Sequence, residues 1–231
     1  PDTTVPPRTI TTLAAYLDDH PWTAVVGPLL RHPDGSVQSS MRRFPSRLTP
    51  VFESTIVEEW WPDNRWVRRY RISDVPGDIS QQVDWIVGAA MLVRREAIDQ
   101  VGGFDDSFWM YSEEVEWCWR FRRHGWQIAS VAGAEVTHHE GASSAQNIPR
   151  RQIEFDMSRV RLMGVMYGVR WAAIVRRMLV FCYLLAWVRE FGKWLLGHRR
   201  ELRRERMQLY WTGIRGGLHG GMTGARDGER R

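Results

Sequence analysis

Apolar and polar positions divide this chain into a first part of mixed texture and a last part, after Pro149, in which helical patterns dominate. In Pro7 to Asp19, Ile10, Leu13, Ala14 and Leu17 fall on one face, which predicts a helix, and Pro6-Pro7 suits its start. Ala24 to Leu30 is an uninterrupted apolar run and reads as a buried strand. Asp34-Gly35 signals a turn, with Ser36 to Phe44 as the return strand of a hairpin. Pro45 to Ser80 is irregular and rich in Trp, Arg and Pro, with one short helix near Val51 to Trp60. Val83 to Val93 is apolar enough for one central strand, and Arg95 to Val101 for a short helix stopped by Gly102-Gly103. Ser112 is placed to cap a helix that carries Val115, Cys118, Trp119 and Arg122 along one side and ends at Gly125. Trp126 to Val131 and Ala134 to His138 read as two short strands.

Beyond Pro149 the pattern predicts helices over Gln152 to Tyr167 and Arg170 to His198. Inside the second, Met178 to Val188 is apolar all round, but its 11 residues fall short of the ~20 needed to span a bilayer. Arg176, Arg177, Arg189, Lys193, Arg199 and Arg200 flank it, a composition that fits a helix lying in the membrane interface. The alternative is a core helix packed against the domain. Gly213 to Arg231 is Gly- and charge-rich and is expected to fray, and no internal repeat is visible.

Composition sharpens this division. The 231 residues are 43% hydrophobic and 26% charged, a globular balance. The net charge of +5 conceals 20 acidic against 14 basic residues up to Pro149, and 7 against 18 after it. Such a tail suits an anionic lipid or an acidic partner; it lacks a recognised nucleic-acid-binding motif, and its apolar block fits lipid better. Cys118 and Cys182 are too few for a disulfide framework, which favours a reducing compartment.

Asp105, Asp106, Glu113, Glu114 and Glu116 are five carboxylates within twelve positions, interleaved with Phe104, Phe108, Trp109 and Tyr111. Aromatic rings lie against the apolar faces of sugars while carboxylates take the hydroxyls, so Asp105, Trp109 and Tyr111 are candidate substrate-binding residues. Glu113, Glu114 and Glu116 fall in a first helical turn, where the dipole favours negative charge. A carboxylate kept ionised there can accept a proton; it can equally be a simple cap. His138-His139 follow a later strand.

The stretch GGFDDSFWMYSEEVEWCWRFRRHGW resembles the pattern of family 2 glycosyltransferases of GT-A fold: a Gly-Gly-Phe-Asp turn, an aromatic loop, an acidic pair and a helix ending in Gly-Trp. VDWIVGAAMLVRREAI resembles the strand before it, GAEVTHHEGASS the strand after it, and DGSVQSSMRRFPS a segment of the rhamnosyltransferase-like branch. The resemblance implies a partial GT-A α/β fold, a mixed sheet followed by C-terminal helices. Residues 1–149 would be the acceptor and catalytic part and 150–231 a basic, membrane-associating tail. It implies inverting transfer from a nucleotide-diphospho-sugar, assisted by a divalent metal (Mg or Mn), to a lipid-linked or cell-envelope glycan acceptor at the cytoplasmic face of a membrane. Asp2 would stand at the family's metal motif, holding the cation on the donor diphosphate, and His138 would be the metal-binding histidine, with His139 as its fallback. Glu114 matches the general base and Glu113 is the second choice; the family usually has a Glu-Asp pair where this chain has Glu-Glu. Asp84, Trp85 and Gly88 match the strand lining the acceptor side. The family's nucleotide-binding half would precede Pro1, so the expectation is a fragment, and a donor-free, inactive membrane-associated remnant is the competing reading.

Overall fold

The computed structural model describes residues 2–139 and 148–218, which form two compact units, Pro1–Ile148 and Pro149–Arg231. The sequence expectations for residues 140–147 and 219–231 lie outside the described residues.

The first unit is built on a mixed six-stranded sheet whose centre is the pair β2 (Thr23–Arg31) and β8 (Gln127–His138), joined in parallel. β8 also takes β1 (Thr3–Thr4) and β5 (Gln81–Val83) antiparallel along its other edge. β2 takes β3 (Val37–Gln38) and β7 (Leu92–Val93) antiparallel. A second, two-stranded sheet pairs β4 (Met41–Arg42) with β6 (Trp85–Ile86). Helix α1 (Thr9–Asp19) lays Leu13 and Leu17 on Val26, Ala129, Val131 and Ala134, the apolar face expected from its spacing.

Several predicted elements are corrected. Val83 to Val93 is not one strand: β5, β6 and β7 belong to it in turn, each with a different partner. The break is made by Asp84, whose carboxylate accepts from the Phe44 amide at 2.8 Å, and by the small residues Gly88 to Ala90 in a turn. The return strand of the hairpin likewise divides into β3 on the main sheet and β4 on the second. The two short strands near the end of the unit are one, β8, which absorbs a register irregularity opposite Pro28 and Leu29 instead of stopping. Pro45 to Ser80 holds three short helices, α2 (Thr49–Phe52), α3 (Ile56–Trp60) and α4 (Arg65–Tyr70). Thr55 caps α3 and the fully buried Asn64 caps α4, by accepting from Val57 and Val67 amides. Helix α5 (Arg95–Val101) ends as expected at Gly102, at φ 85°.

The two sheets meet where Ile86 leans over β2. A Cβ at Gly27 would overlap Ile86 Cδ1, and Ile86 is 2% exposed. Gly27→Ala is therefore expected to destabilise the unit by about 1–3 kcal/mol. A urea melt within error of the parent would show that Ile86 has room to move.

The second unit holds α7 (Ile148–Tyr167), α8 (Val169–Leu195) and α9 (Arg200–Gly216). Gly168, at φ 89°, separates α7 from α8. Two expectations change here. Gly213 to Gly216 belong to α9, and Gly213 is a helical contact point: a Cβ there would sit 2.8 Å from the Tyr183 ring. And α8 runs for 27 residues, past both ends of the apolar block, so by length and composition it could cross a membrane.

Candidate active site

Helix α6 (Glu113–Arg123) begins on strained backbone. Tyr111 and Ser112 are consecutive non-glycine residues in the left-handed region, at φ 67° and 69°. Such conformations cost of order 1 kcal/mol or more each and persist where the surroundings impose them. Ser112 makes no side-chain cap, contrary to expectation, because its left-handed backbone is not the extended conformation a capping residue adopts. The buried side of α6 is Val115, Glu116, Trp117, Cys118 and Phe121, not the stripe containing Trp119 and Arg122.

The three glutamates of the first turn have separate fates. Glu116 is tied to Arg120, whose Nε donates to both carboxylate oxygens at 2.8 and 2.9 Å. Arg120 also donates to the Val101 and Gly103 carbonyls, and Trp117 Nε1 to Gly102, so Glu116 serves the junction with the Gly102-Gly103 turn. Glu113 and Glu114 each keep Oε2 buried without a hydrogen-bond partner. Burial raises the proton affinity of Glu113. Burial, reinforced by the charge of Glu113, pushes the Glu114 carboxyl up to about 7, although amides of Glu114, Gly88 and Val115 favour its ionised form. Gly88 is exposed and lies against the Glu114 side chain, where a Cβ would stand 3.6 Å from Glu114 Cβ. With no side chain of its own, Gly88 lets the Glu114 side chain pack directly against its backbone. Cys118, also on α6, is fully buried and its thiol is pushed up by burial, so it is no nucleophile.

Asp2 and His138 meet at the edge of the main sheet. β1 and β8 pair Thr3 with His138, and the His139 amide donates to the Asp2 carbonyl at 2.7 Å. His138 Nε2 then lies 3.6 Å from Asp2 Oδ2, with both side chains largely shielded. On the other side of the ring, His138 Nδ1 is 3.0 Å from Gln38 Oε1. A proton on Nδ1 donated to that carbonyl leaves the Nε2 lone pair directed at Asp2. His139 turns instead to Thr4, its Nε2 3.1 Å from Oγ1.

One carboxylate and one imidazole fit a divalent cation of the Mg or Mn kind, which takes one or two protein ligands and completes its shell with water and phosphate oxygens. Among the described residues no group of three or more His, Cys, Asp or Glu side chains is assembled.

One short segment connects the two places. Gln38 reaches His138. Four positions on, Arg42 pairs with Trp85 in the second sheet, and its guanidinium, its proton affinity lowered by burial, feels the charges of Glu53 and Glu114. Four residues span at most about 14 Å, which bounds the distance between those two backbone positions. Neither Gln38 nor Arg42 is among the predicted site residues. The signal was present in the polar run Gln38-Ser39-Ser40 between apolar Val37 and Met41.

The remaining candidates are placed as follows. Asp84 braces Phe44, and Trp85 is 6% exposed with its N–H on the Arg43 carbonyl at 3.0 Å. Asp105 accepts from the Ser107 amide at 2.9 Å in a local turn. Trp109 is 72% exposed, and Tyr111 is half-buried on the strained turn before α6.

Comparison with known proteins agrees with this architecture. Residues 2–153 match the family model described as glycosyltransferase like family 2. The chain belongs to that family. Its mixed sheet with following helices agrees with the expected GT-A class. It is similar to an N-acetylglucosaminyl-diphospho-decaprenol L-rhamnosyltransferase of Mycobacterium tuberculosis, 36% identical over 147 residues, 64% of this chain and 47% of the relative. It is also similar to the rhamnosyltransferase WbbL of Escherichia coli, 35% identical over 57 residues, 25% of this chain and 22% of that one. The chain thus spans about half the length of the M. tuberculosis relative.

Proposed function

We propose that this family 2 chain carries the acceptor side of an inverting glycosyltransferase, moving a sugar from a nucleotide-diphospho-sugar to a lipid-linked or cell-envelope glycan acceptor. The observation that carries the reading is Glu114: a buried carboxyl at the start of α6, raised to about 7, its Oε2 without a hydrogen-bond partner and its side chain packed against the exposed Gly88. A base with that proton affinity is half ionised near neutrality and matched to taking a proton from a sugar hydroxyl. Burial, with the charge of Glu113 beside it, keeps its proton affinity high, and amides of Glu114, Gly88 and Val115 support its ionised form. The acceptor oxygen, freed of its proton, attacks the anomeric carbon from the face opposite the leaving diphosphate. The name of the M. tuberculosis relative, a transferase onto a decaprenol-linked sugar, supports a lipid-linked acceptor; a place at the cytoplasmic face of the membrane is part of the same proposal.

Asp2 and His138 would hold the divalent cation, with Gln38 setting the ring. When bound, the cation neutralises charge developing on the departing diphosphate. Asp105, Trp109 and Tyr111 remain candidates for the sugar, and Asp84 and Trp85 act by shaping the hairpin under Gly88.

Two measurements test the reading. The full natural chain should transfer or hydrolyse a nucleotide sugar; failure across a panel of nucleotide sugars would favour the inactive-remnant reading. Asp2→Asn and His138→Ala should each weaken Mn binding about 10-fold or more, followed by titration calorimetry. Unchanged Mn affinity in both would remove the metal from this edge of the sheet.

A further inference from the structure

Helix α8 is apolar on two opposite faces. One carries Ala172, Val175, Leu179, Tyr183, Ala186 and the side chain of Glu190, all buried. The other carries Ile174, Phe181, Leu184, Leu185, Val188 and Leu195, each at least 37% exposed. At 3.6 residues per turn these six fall within an arc of about 100°, on the side away from the buried stripe. Between Phe181 and Leu195 the exposed stripe runs roughly 21 Å. Exposed Arg177 stands at one end of it, and exposed Arg199 and Arg200 lie just past the other.

Helix α9 is fastened along the same half of α8. Arg203 Nη1 donates to Glu190 Oε2 at 2.6 Å, with the Glu190 carboxyl fully buried. Tyr210 lies 5.8 Å from Tyr183 and Trp211 6.3 Å from Trp187, ring to ring, and Gly213 abuts Tyr183. The register descends on one helix as it climbs on the other, so the pair is an antiparallel hairpin. Helix α9 exposes Arg204, Glu205 and Arg206.

We propose that α8 and α9 form a locked hairpin that lies in the plane of an anionic membrane. The exposed stripe of α8 sits among acyl chains and the arginines sit at the headgroups. The inference rests on the proposed function only for the choice of a membrane as the place where the acceptor is met. Charge complementarity selects the occupant: 18 basic residues against 7 acidic follow Pro149, and the stripe is basic at both ends. A second copy of the chain would set arginine against arginine in either orientation. The hairpin also decides between lying and spanning. With α8 across the bilayer, α9 would carry Arg204, Glu205 and Arg206 to the depth of Tyr183 to Glu190, where charged side chains are costly.

The test uses the full chain and vesicles of phosphatidylcholine with or without phosphatidylglycerol. Binding is expected to anionic vesicles, weaker at high salt and absent on neutral ones. Leu185→Asp and Val188→Asp, both at exposed positions, should each lower binding about ten-fold. Arg199→Glu with Arg200→Glu should lower it independently of the apolar face. Val169→Cys and Leu196→Cys, each made with Cys182→Ser, should both react with an impermeant maleimide added outside the vesicles. Protection of one end would overturn the in-plane hairpin in favour of a span. Binding unaffected by both kinds of substitution, or no vesicle binding, would overturn the lipid surface. A dimer in sedimentation that Leu185→Asp abolishes, without vesicle binding, would assign the stripe to a second copy. Transfer to a soluble acceptor should survive Leu185→Asp, which separates failure here from failure of the catalytic reading.

Discussion

Glu114→Gln is expected to lower sugar transfer by about 10²–10⁴-fold, the range supplied by a positioned general base, with donor affinity little changed. The amide keeps the shape of the side chain but cannot take the proton. The pH dependence has a defined sign. In the parent, the ionised fraction of Glu114 grows as pH rises through about 7, so turnover should climb over that interval and level off above it. Stability runs the other way. The folded carboxyl holds its proton more tightly than an ordinary one at 4.5, so its contribution is full below about 4.5 and lost as pH rises through about 7. The Gln variant should lose both slopes. Carbon-detected titration of the Glu114 carboxyl gives the same midpoint without relying on activity. Unchanged turnover in the variant would move the base to Glu113.

Arg203→Ala is expected to destabilise the helical unit by about 3–5 kcal/mol, because it strands the buried Glu190 carboxylate. Arg189 and Lys193, at 3.7 and 3.8 Å, are the nearest remaining cations and place the effect toward the lower end. Replacing both members, Glu190→Leu with Arg203→Met, should recover most of the loss, since an apolar pair of similar volume needs no charge compensation. Denaturant melts of the single and double variants, followed by helical circular dichroism, measure the difference. A single variant that melts with the parent would mean that the pair does not hold the hairpin.

Where local pattern and tertiary environment agree, the sequence was enough to read the structure. Leu13 and Leu17 of the first helix, the apolar run at Ala24 and the Gly102 stop each emerged where their patterns placed them, while Ile10, expected on the same face, is exposed. The carboxylate cluster was equally visible, but not which acids matter. Glu113, Glu114 and Glu116 look alike in a first turn; the reach of Arg120 to Glu116 and the deeper burial of Glu114 separate them. Val83 to Val93 misled because an apolar run does not reveal that its pieces pair with three different partners. Trp85 matches a strand lining the acceptor side, but the sequence does not show that the side chain is buried there. The polar run at Gln38 did not reveal its role, because its partner, His138, lies 100 positions away. In the helical unit, the apolar block drew attention from its neighbours, although Gly213 and Tyr183 set how closely α9 approaches.

Strand β8 has a consequence for how the chain is made. It is the common neighbour of β1, β2 and β5, and its pairing with β2 joins residues such as Arg31 and Glu135, 104 positions apart. Until the ribosome has released Gln127 to His138, β1 and β5 have no partner on the sheet and one edge of β2 stays bare. A nascent chain at that stage displays the apolar run Ala24 to Leu30 as an open template for other strands. Closure over so long a separation is slow, so chains that stop before Gln127 are expected to aggregate more readily than those that include β8.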